Sequence, residues 1–241
     1  MESPTDTGTA MAKGAVRIEE PTRAQRLIAR RAAESRATVP HLELTAIADM
    51  SAMATARPAL RNHAAAPPSA SLTAVIVRIC ALALRAHPLA NGAYRDGHFE
   101  LHARVNVGVA MMTDDAFLVP TVTDADTKTA LVIDGELRAL EASVRAGTIT
   151  PPELAGATFT VFNLGMLGVS SFSPPIIPPQ AAILAVGAVR EVPVVRDGDI
   201  VAGHEMSLTL ACDHRILYGA QAAGFLNQIR ALLEQPQELL S

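Results

Sequence analysis

Near the C-terminus, Asp213, His214 and Arg215 stand together in "ACDHRILYGA" (Ala211 to Ala220). A histidine suits proton transfer near neutral pH, where its unperturbed pKa lies. Upstream, "MSLTLAC" (Met206 to Cys212) alternates larger apolar side chains with small or polar ones, the pattern of a half-buried strand. Downstream, Phe225, Leu226, Ile229, Leu232 and Leu233 recur at helical spacing. The pattern predicts a strand-to-helix connection that presents His214 to a cleft. A surface histidine that only makes hydrogen bonds fits the same residues.

Other site signatures are missing. The sequence has no Gly-rich phosphate loop followed by Lys, no CxxC or HExxH spacing and no G-x-S-x-G elbow. His98 and His102 are four apart, and the flanking "FELHARVNVGV" alternates as a strand does, which puts them on one face with no third ligand in view, so no metal is expected. A second unusual stretch is the proline-rich "SFSPPIIPPQAAI" (Ser171 to Ile183). Its prolines restrict the unfolded chain and stiffen the loop. It reads as a rigid connection or as the preorganised wall of a binding channel.

Elements able to position these residues follow from composition and pattern. A chain of 241 residues can bury a substantial core. It is 49% hydrophobic but only 3% aromatic, so Ala, Val, Leu and Ile must pack it. Twenty basic against 24 acidic residues leave no basic field for nucleic acid. Cys80 and Cys212 lie in apolar stretches and read as buried, reduced thiols. No apolar run is long enough to span a membrane and no signal-peptide core is present, so a soluble cytoplasmic protein is expected.

Residues 1–20 are small and polar and read as a flexible N-terminal segment ahead of a domain over 21–241. "PTRAQRLIARRAAESRA" carries a helix signature, "VPHLELTAIADMSAM" a strand, and residues 60–71 a loop that Pro67 and Pro68 keep from being helical. "LTAVIVRICALALRAHP" is a buried helix ended by Pro88. "FELHARVNVGVAMMT" and "FLVPTVTDA" read as strands around the turn "TDDA". An amphipathic helix follows, with Gly147 at its C-terminal cap. Then come a strand in "ATFTVFNLG", the loop, a buried strand in "AAILAVGAV" and a hairpin through Asp197–Gly198. The result is one α/β domain with a large mixed sheet and few long helices.

"FTVFNLGMLGVSSFSPPIIPPQAAILAVGAV" followed by "DHRILYGA" resembles the catalytic domain of the dihydrolipoyl acyltransferases of 2-oxoacid dehydrogenase complexes, which is similar to chloramphenicol acetyltransferase. "RLIARRAAES", "TVPHLELT", "VNVGVAM" and "LVPTV" fall in that family's order, so the likeness runs from about Pro21 to the C-terminus. The resemblance implies a two-layer α/β fold, a homotrimer with sites at subunit interfaces, and coenzyme A entering a channel opposite the acyl acceptor. It gives His214 the role of general base toward the acceptor thiol or hydroxyl, with Asp213 and Arg215 shaping the turn. Leucines in "PQELLS" match those that dock trimers into larger cages.

Three positions depart from the family pattern. Its histidine motif continues to an acid or Asn where this chain has Tyr218, and the arginine that pairs with the acid is replaced by Gln25. Where relatives carry an oxyanion-binding Ser from the neighbouring subunit, this chain has Phe162 beside Asn163. Losing such a donor costs about 2.7–4 kcal/mol. Tyr218, Ser170, Ser171 and Ser173 are the candidate replacements, and Phe162, Asn163 and Ser173 the candidate substrate contacts. No lipoyl domain or lipoyl lysine is recognisable on this chain. On that basis the first expectation is a free-standing acetyltransferase that uses acetyl-CoA and a small-molecule hydroxyl, resembling the acetyltransferases of tetronate-type polyketide biosynthesis. The alternatives are a dihydrolipoyl acyltransferase core and a non-catalytic trimeric assembly hub.

Overall fold

The computed structural model describes residues 16–54, 70–113 and 117–235. Within them run four long helices, α1 (Arg23–Thr38), α2 (Leu72–Ala86), α3 (Ala130–Ala146) and α4 (Gly219–Glu234). The strands are β1 (His41–Asp49), β2 (Gly92–Arg95), β3 (His98–Leu101), β4 (Val107–Val109), β5 (Met111–Met112), β6 (Phe117–Leu118), β7 (Thr121–Val122), β8 (Phe159–Asn163), β9 (Ala182–Arg196) and β10 (Asp199–Asp213). Residues 1–15 of the N-terminal segment, most of the 60–71 loop, the tip of "TDDA" and the terminal "PQELLS" lie outside the described residues.

Six strands form the expected mixed sheet, in the order β1–β10–β9–β8–β4–β7. β8 runs parallel to both β9 and β4, and the other pairs are antiparallel. The β9–β10 hairpin turns at Asp197 and Gly198, whose φ values of 52° and 91° are the doubly positive pair of a type I′ turn. The helices cap as their sequences require. Ser71 caps α2 and Thr129 caps α3 at their N-termini, and Gly147 ends α3 in the left-handed region at φ 67°.

The helices α2, α3 and α4 cover one face of the sheet. Ile76, Ile79 and Leu84 of α2, Ile133 and Leu137 of α3, and Phe225, Ile229 and Leu233 of α4 share one core with Leu184, Val186, Leu208 and Leu210. The opposite face is apolar only locally, where Val39, Ile176, Ile183 and Ala211 form a second small cluster. That cluster corrects the half-buried reading of 206–212. From Leu208 to Asp213 every residue is buried, because the proline-rich loop lies over the face that would otherwise meet solvent. By contrast α1 buries only Ser35, although it carries five arginines and the half-exposed Leu27.

The stretch read as one strand over 99–113 is broken. Asn91 donates to the carbonyls of His102 (3.0 Å) and Arg104 (2.9 Å), and Asn106 donates to Gly156 while accepting from the Asp124 amide. The Asn91 side chain thus takes carbonyls at 102 and 104 that a ladder would use, and β3 ends at Leu101. His98 lies in β3 and His102 beyond it. Among the described residues no group of three His, Cys, Asp or Glu is placed to hold a metal ion, and no helix is long and apolar enough to cross a membrane.

Candidate functional site

The turn after β10 is clamped on both sides. The Asp213 amide donates to Ala181 O (2.8 Å) and the His214 amide to Pro40 O (2.9 Å). The Asp213 carbonyl then accepts from the amides of Ile216 (3.1 Å) and Leu217 (2.9 Å), which folds the chain back toward α4. The buried Asp213 carboxylate accepts from the Arg215 amide (3.0 Å) and from guanidinium Nε (2.9 Å) and Nη2 (2.7 Å). The same guanidinium lies 4.6 Å over the Tyr94 ring. The acid and the arginine that flank the histidine are therefore occupied with each other. Their pairing fixes the turn and leaves the His214 side chain exposed.

Tyr218 sits beside that exposed imidazole, its ring 5.9 Å from the His214 ring at 88°. It occupies the N-cap position of α4, and its hydroxyl donates to Arg215 O at 3.3 Å, a long and half-exposed bond. Gln25 lies in the first turn of α1, where it accepts from the Thr22 amide (2.9 Å) in a capping box.

Phe162 closes the apolar end of β8. Its ring meets Phe117 at 5.3 Å and Phe172 at 5.0 Å, both edge-on, and packs on the small cluster around Ile176. Asn163 is committed locally, since its Nδ2 donates to Thr73 Oγ1 (3.0 Å) and its Oδ1 accepts from the Gly165 amide (2.9 Å). The turn that follows passes so close to β9 that a Cβ on Gly187 would lie 2.0 Å from Ser170 O. The Ser173 side chain lies beside Glu43. Its hydroxyl and the Arg36 guanidinium hold the Glu43 carboxyl below its ordinary range. Ser170 and Ser171 are exposed.

His214 and Tyr218 are thus brought together, and Phe162 and Ser173 form a separate group. Phe162 pairs with Ala185, which pairs with Thr209, five residues before His214. Strand spacing and rise place position 162 about 19 Å from His214 of the same chain. Neither cysteine competes as a nucleophile. Burial, with Asp213 nearby, pushes the Cys212 thiol up to about 12, and burial raises Cys80 as well.

In the sequence His41 reads only as part of a strand, and no motif points to Tyr94. His41 Nδ1 lies 2.8 Å from Val39 O and its Nε2 accepts from the Ile176 amide at 3.1 Å. No local pattern could have found the His41–Ile176 contact or the Arg215–Tyr94 contact, whose partners lie 135 and 121 residues apart in the chain.

A family model for the 2-oxoacid dehydrogenases acyltransferase (catalytic domain) matches residues 13–241. The dihydrolipoyllysine-residue acetyltransferase component of the pyruvate dehydrogenase complex of Zymomonas mobilis is 33% identical over 218 residues, covering 90% of this chain and 50% of that protein. The chain spans about half the length of the curated relatives it matches. A structure of Azotobacter vinelandii dihydrolipoamide acetyltransferase, used to investigate a serine, a histidine and an asparagine in its catalytic mechanism, superposes with a TM-score of 0.89 at 27% identity, covering 100% of this chain and 99% of that one. The cubic core of a pyruvate dehydrogenase multienzyme complex superposes equally well, with the same identity and coverage. A chloramphenicol acetyltransferase shares the fold alone, with a TM-score of 0.53 at 12% identity over 85% of this chain and 94% of that one. This chain belongs to the family of 2-oxoacid dehydrogenase acyltransferase catalytic domains.

Proposed function

We propose that the domain transfers an acyl group, in the first instance acetyl, between coenzyme A and a dihydrolipoyl thiol, with His214 as the general base. The observation that carries this is the exposed His214 imidazole on a turn locked by Asp213 and Arg215, with Tyr218 at its edge. The imidazole takes the proton of the attacking thiol as sulfur adds to the thioester carbonyl carbon. The tetrahedral oxyanion then collapses, the carbon–sulfur bond to the first carrier breaks, and the imidazolium returns its proton to the departing thiolate. Such a base contributes about a hundred- to ten-thousandfold in rate.

Phe162 has no proton to give the oxyanion, and the Ser173 hydroxyl lies beside the Glu43 carboxylate. Tyr218 is the replacement donor favoured here, because its bond to Arg215 O is long and easily exchanged. The separation between position 162 and His214 within one chain supports a site completed by a second copy, hence a homotrimer. The likeness to a cubic core extends that to a larger cage. Two buried thiols suit a reducing compartment, and a cytoplasmic setting is part of the proposal. No metal enters the chemistry.

The curated relatives favour the dihydrolipoyl acceptor over the small-molecule hydroxyl that ranks first on sequence alone, and nothing in them supports a tetronate substrate. The hydroxyl reading keeps one support: Phe162 and Tyr218 stand where the family places its oxyanion serine and its acid or asparagine. The test is to supply acetyl-CoA with dihydrolipoamide and, separately, with primary alcohols including a hydroxymethyl tetronate, and to follow the acetylated products by mass. S-acetyl-dihydrolipoamide should form at least about ten times faster than any ester. Faster ester formation would move the acceptor to the second reading, and no product with either would refute both.

A further inference from the structure

We infer that His41 is a positioning residue, which holds the proline-rich loop against the strand that anchors His214 and does so only while its imidazole is neutral. The inference rests on the acyl-transfer reading above and names a residue which that reading does not use.

The two contacts of the ring fix its tautomer. Val39 offers a carbonyl oxygen, which can only accept, so His41 Nδ1 carries the proton that it donates at 2.8 Å. Ile176 offers an amide N–H, which can only donate, so Nε2 must keep its lone pair at 3.1 Å. A proton on Nε2 would set two donors face to face and open that contact. The Ile176 peptide is held on its other side by Ser35 Oγ, which donates to Ile176 O at 2.6 Å, and the Ile176 side chain is buried in the small cluster beneath Phe162. The residue beside His41, Pro40, accepts the His214 amide. One short segment, 39–41, therefore ties the turn of the candidate base to the loop that carries Ser173 and lies beside Phe162.

Charged neighbours are few. On β1, Glu43 lies two residues on and interacts electrostatically with His41, and from α1 Arg36 pairs with Glu43 at 3.2 Å. Across the ladder His41 faces Asp213, which Arg215 occupies, with His214 next in the chain. The loop over 174–180 contributes only Pro, Ile and Gln. No side chain of that loop is ionised, so none offers a counter-charge to a protonated ring.

The test uses the intact protein and two variants, His41→Ala and His41→Gln. Glutamine offers an oxygen near the place of Nε2 and does not titrate. Hydrogen exchange of the peptide containing Ile176 gives a readout independent of turnover, and acetyl transfer to dihydrolipoamide gives the rate. His41→Ala should speed exchange at Ile176 and lower kcat by about ten- to a hundredfold. His41→Gln should restore both to within about threefold. Acidification should raise Ile176 exchange in the wild type relative to His41→Gln at the same pH. The ratio of their rates should fall with it, an effect that cannot come from His214 because both proteins carry it. The inference is overturned if His41→Gln is as defective as His41→Ala, or if Ile176 exchange is unchanged in His41→Ala. If His41→Ala does not fold, the wild-type comparison with His41→Gln in acid decides the matter. If no form transfers acetyl, the function reading fails, and exchange alone judges the role of His41.

Discussion

Replacing Phe162 by Ser should separate stability from catalysis, because the ring and the missing hydroxyl do different work. Truncating a fully buried Phe costs about 3–5 kcal/mol, and Phe162 is half-buried, so roughly half of that applies. Its two edge-on ring contacts, with Phe117 and Phe172, add about 0.5–1.5 kcal/mol each where they are not already counted as buried area. The expected loss is about 2–3 kcal/mol. For a domain of this size that corresponds to a Tm lower by about 5–10 °C, read by differential scanning calorimetry. One oxyanion donor is worth about a hundred- to a thousandfold. Ser at 162 should therefore raise acetyl transfer to dihydrolipoamide by about tenfold or more, even in a pocket shaped for a ring. Adding Tyr218→Phe to this variant should cost less than it costs alone, since the hydroxyls would share one task. An unchanged Tm would mean that the ring is not packed as the structure has it. A fall in rate in a folded Phe162→Ser protein would mean that the ring itself serves the reaction and that the lost-donor argument is wrong.

Other substitutions probe the turn and its supports. Tyr218→Phe should slow turnover by about ten- to a thousandfold while shifting stability by no more than about 0.5 kcal/mol, because its 3.3 Å bond is exposed; kinetics and calorimetry on one preparation check this. Asp213→Asn removes the charge that grips Arg215 and should cost about 2–4 kcal/mol by urea unfolding, with a matching fall in rate as the His214 turn loosens. Asp134 tests the helix layer through pH. Burial alone would raise its carboxyl, but hydrogen bonds from Ser71 and the Arg138 guanidinium outweigh it and hold the group below the ordinary carboxylate range. Its stabilisation is present above the unfolded value and is lost as pH falls through the lowered folded value. Asp134→Asn should thus cost about 1–3 kcal/mol near neutral pH and converge on the wild type in strong acid, measured as urea midpoints across pH.

Features set by neighbouring residues were legible in the sequence. The Asp197–Gly198 hairpin, the Gly147 cap and the connection that carries His214 all rest on turn chemistry or on periodicity within one element. The break after Leu101 was not legible, because it depends on Asn91 and Asn106 reaching backbone groups outside any periodic pattern. Double burial of 208–213 was hidden for a related reason: alternation reports one covered face and cannot show that a distant loop covers the other. At the site, His214 and Tyr218 share one turn and could be read together. The meeting of His41 with Ile176, and of Phe162 with Phe117 and Phe172, joins segments whose proximity only the assembled sheet creates. The substitutions at 162 and 218 point to a small-molecule hydroxyl, whereas the curated relatives over the whole chain favour the dihydrolipoyl thiol, and residue types at two positions do not rank one acceptor above the other.

The most direct measurement is the steady-state rate of acetyl transfer from acetyl-CoA to dihydrolipoamide by His214→Ala, beside the wild type, with mass and Tm recorded for both. His214→Ala should be a folded protein of unchanged assembly whose kcat is lower by about a hundred- to ten-thousandfold. A variant that keeps more than about a tenth of the wild-type rate would show that the proton of the acceptor thiol leaves by another route, and His214 would not be the base.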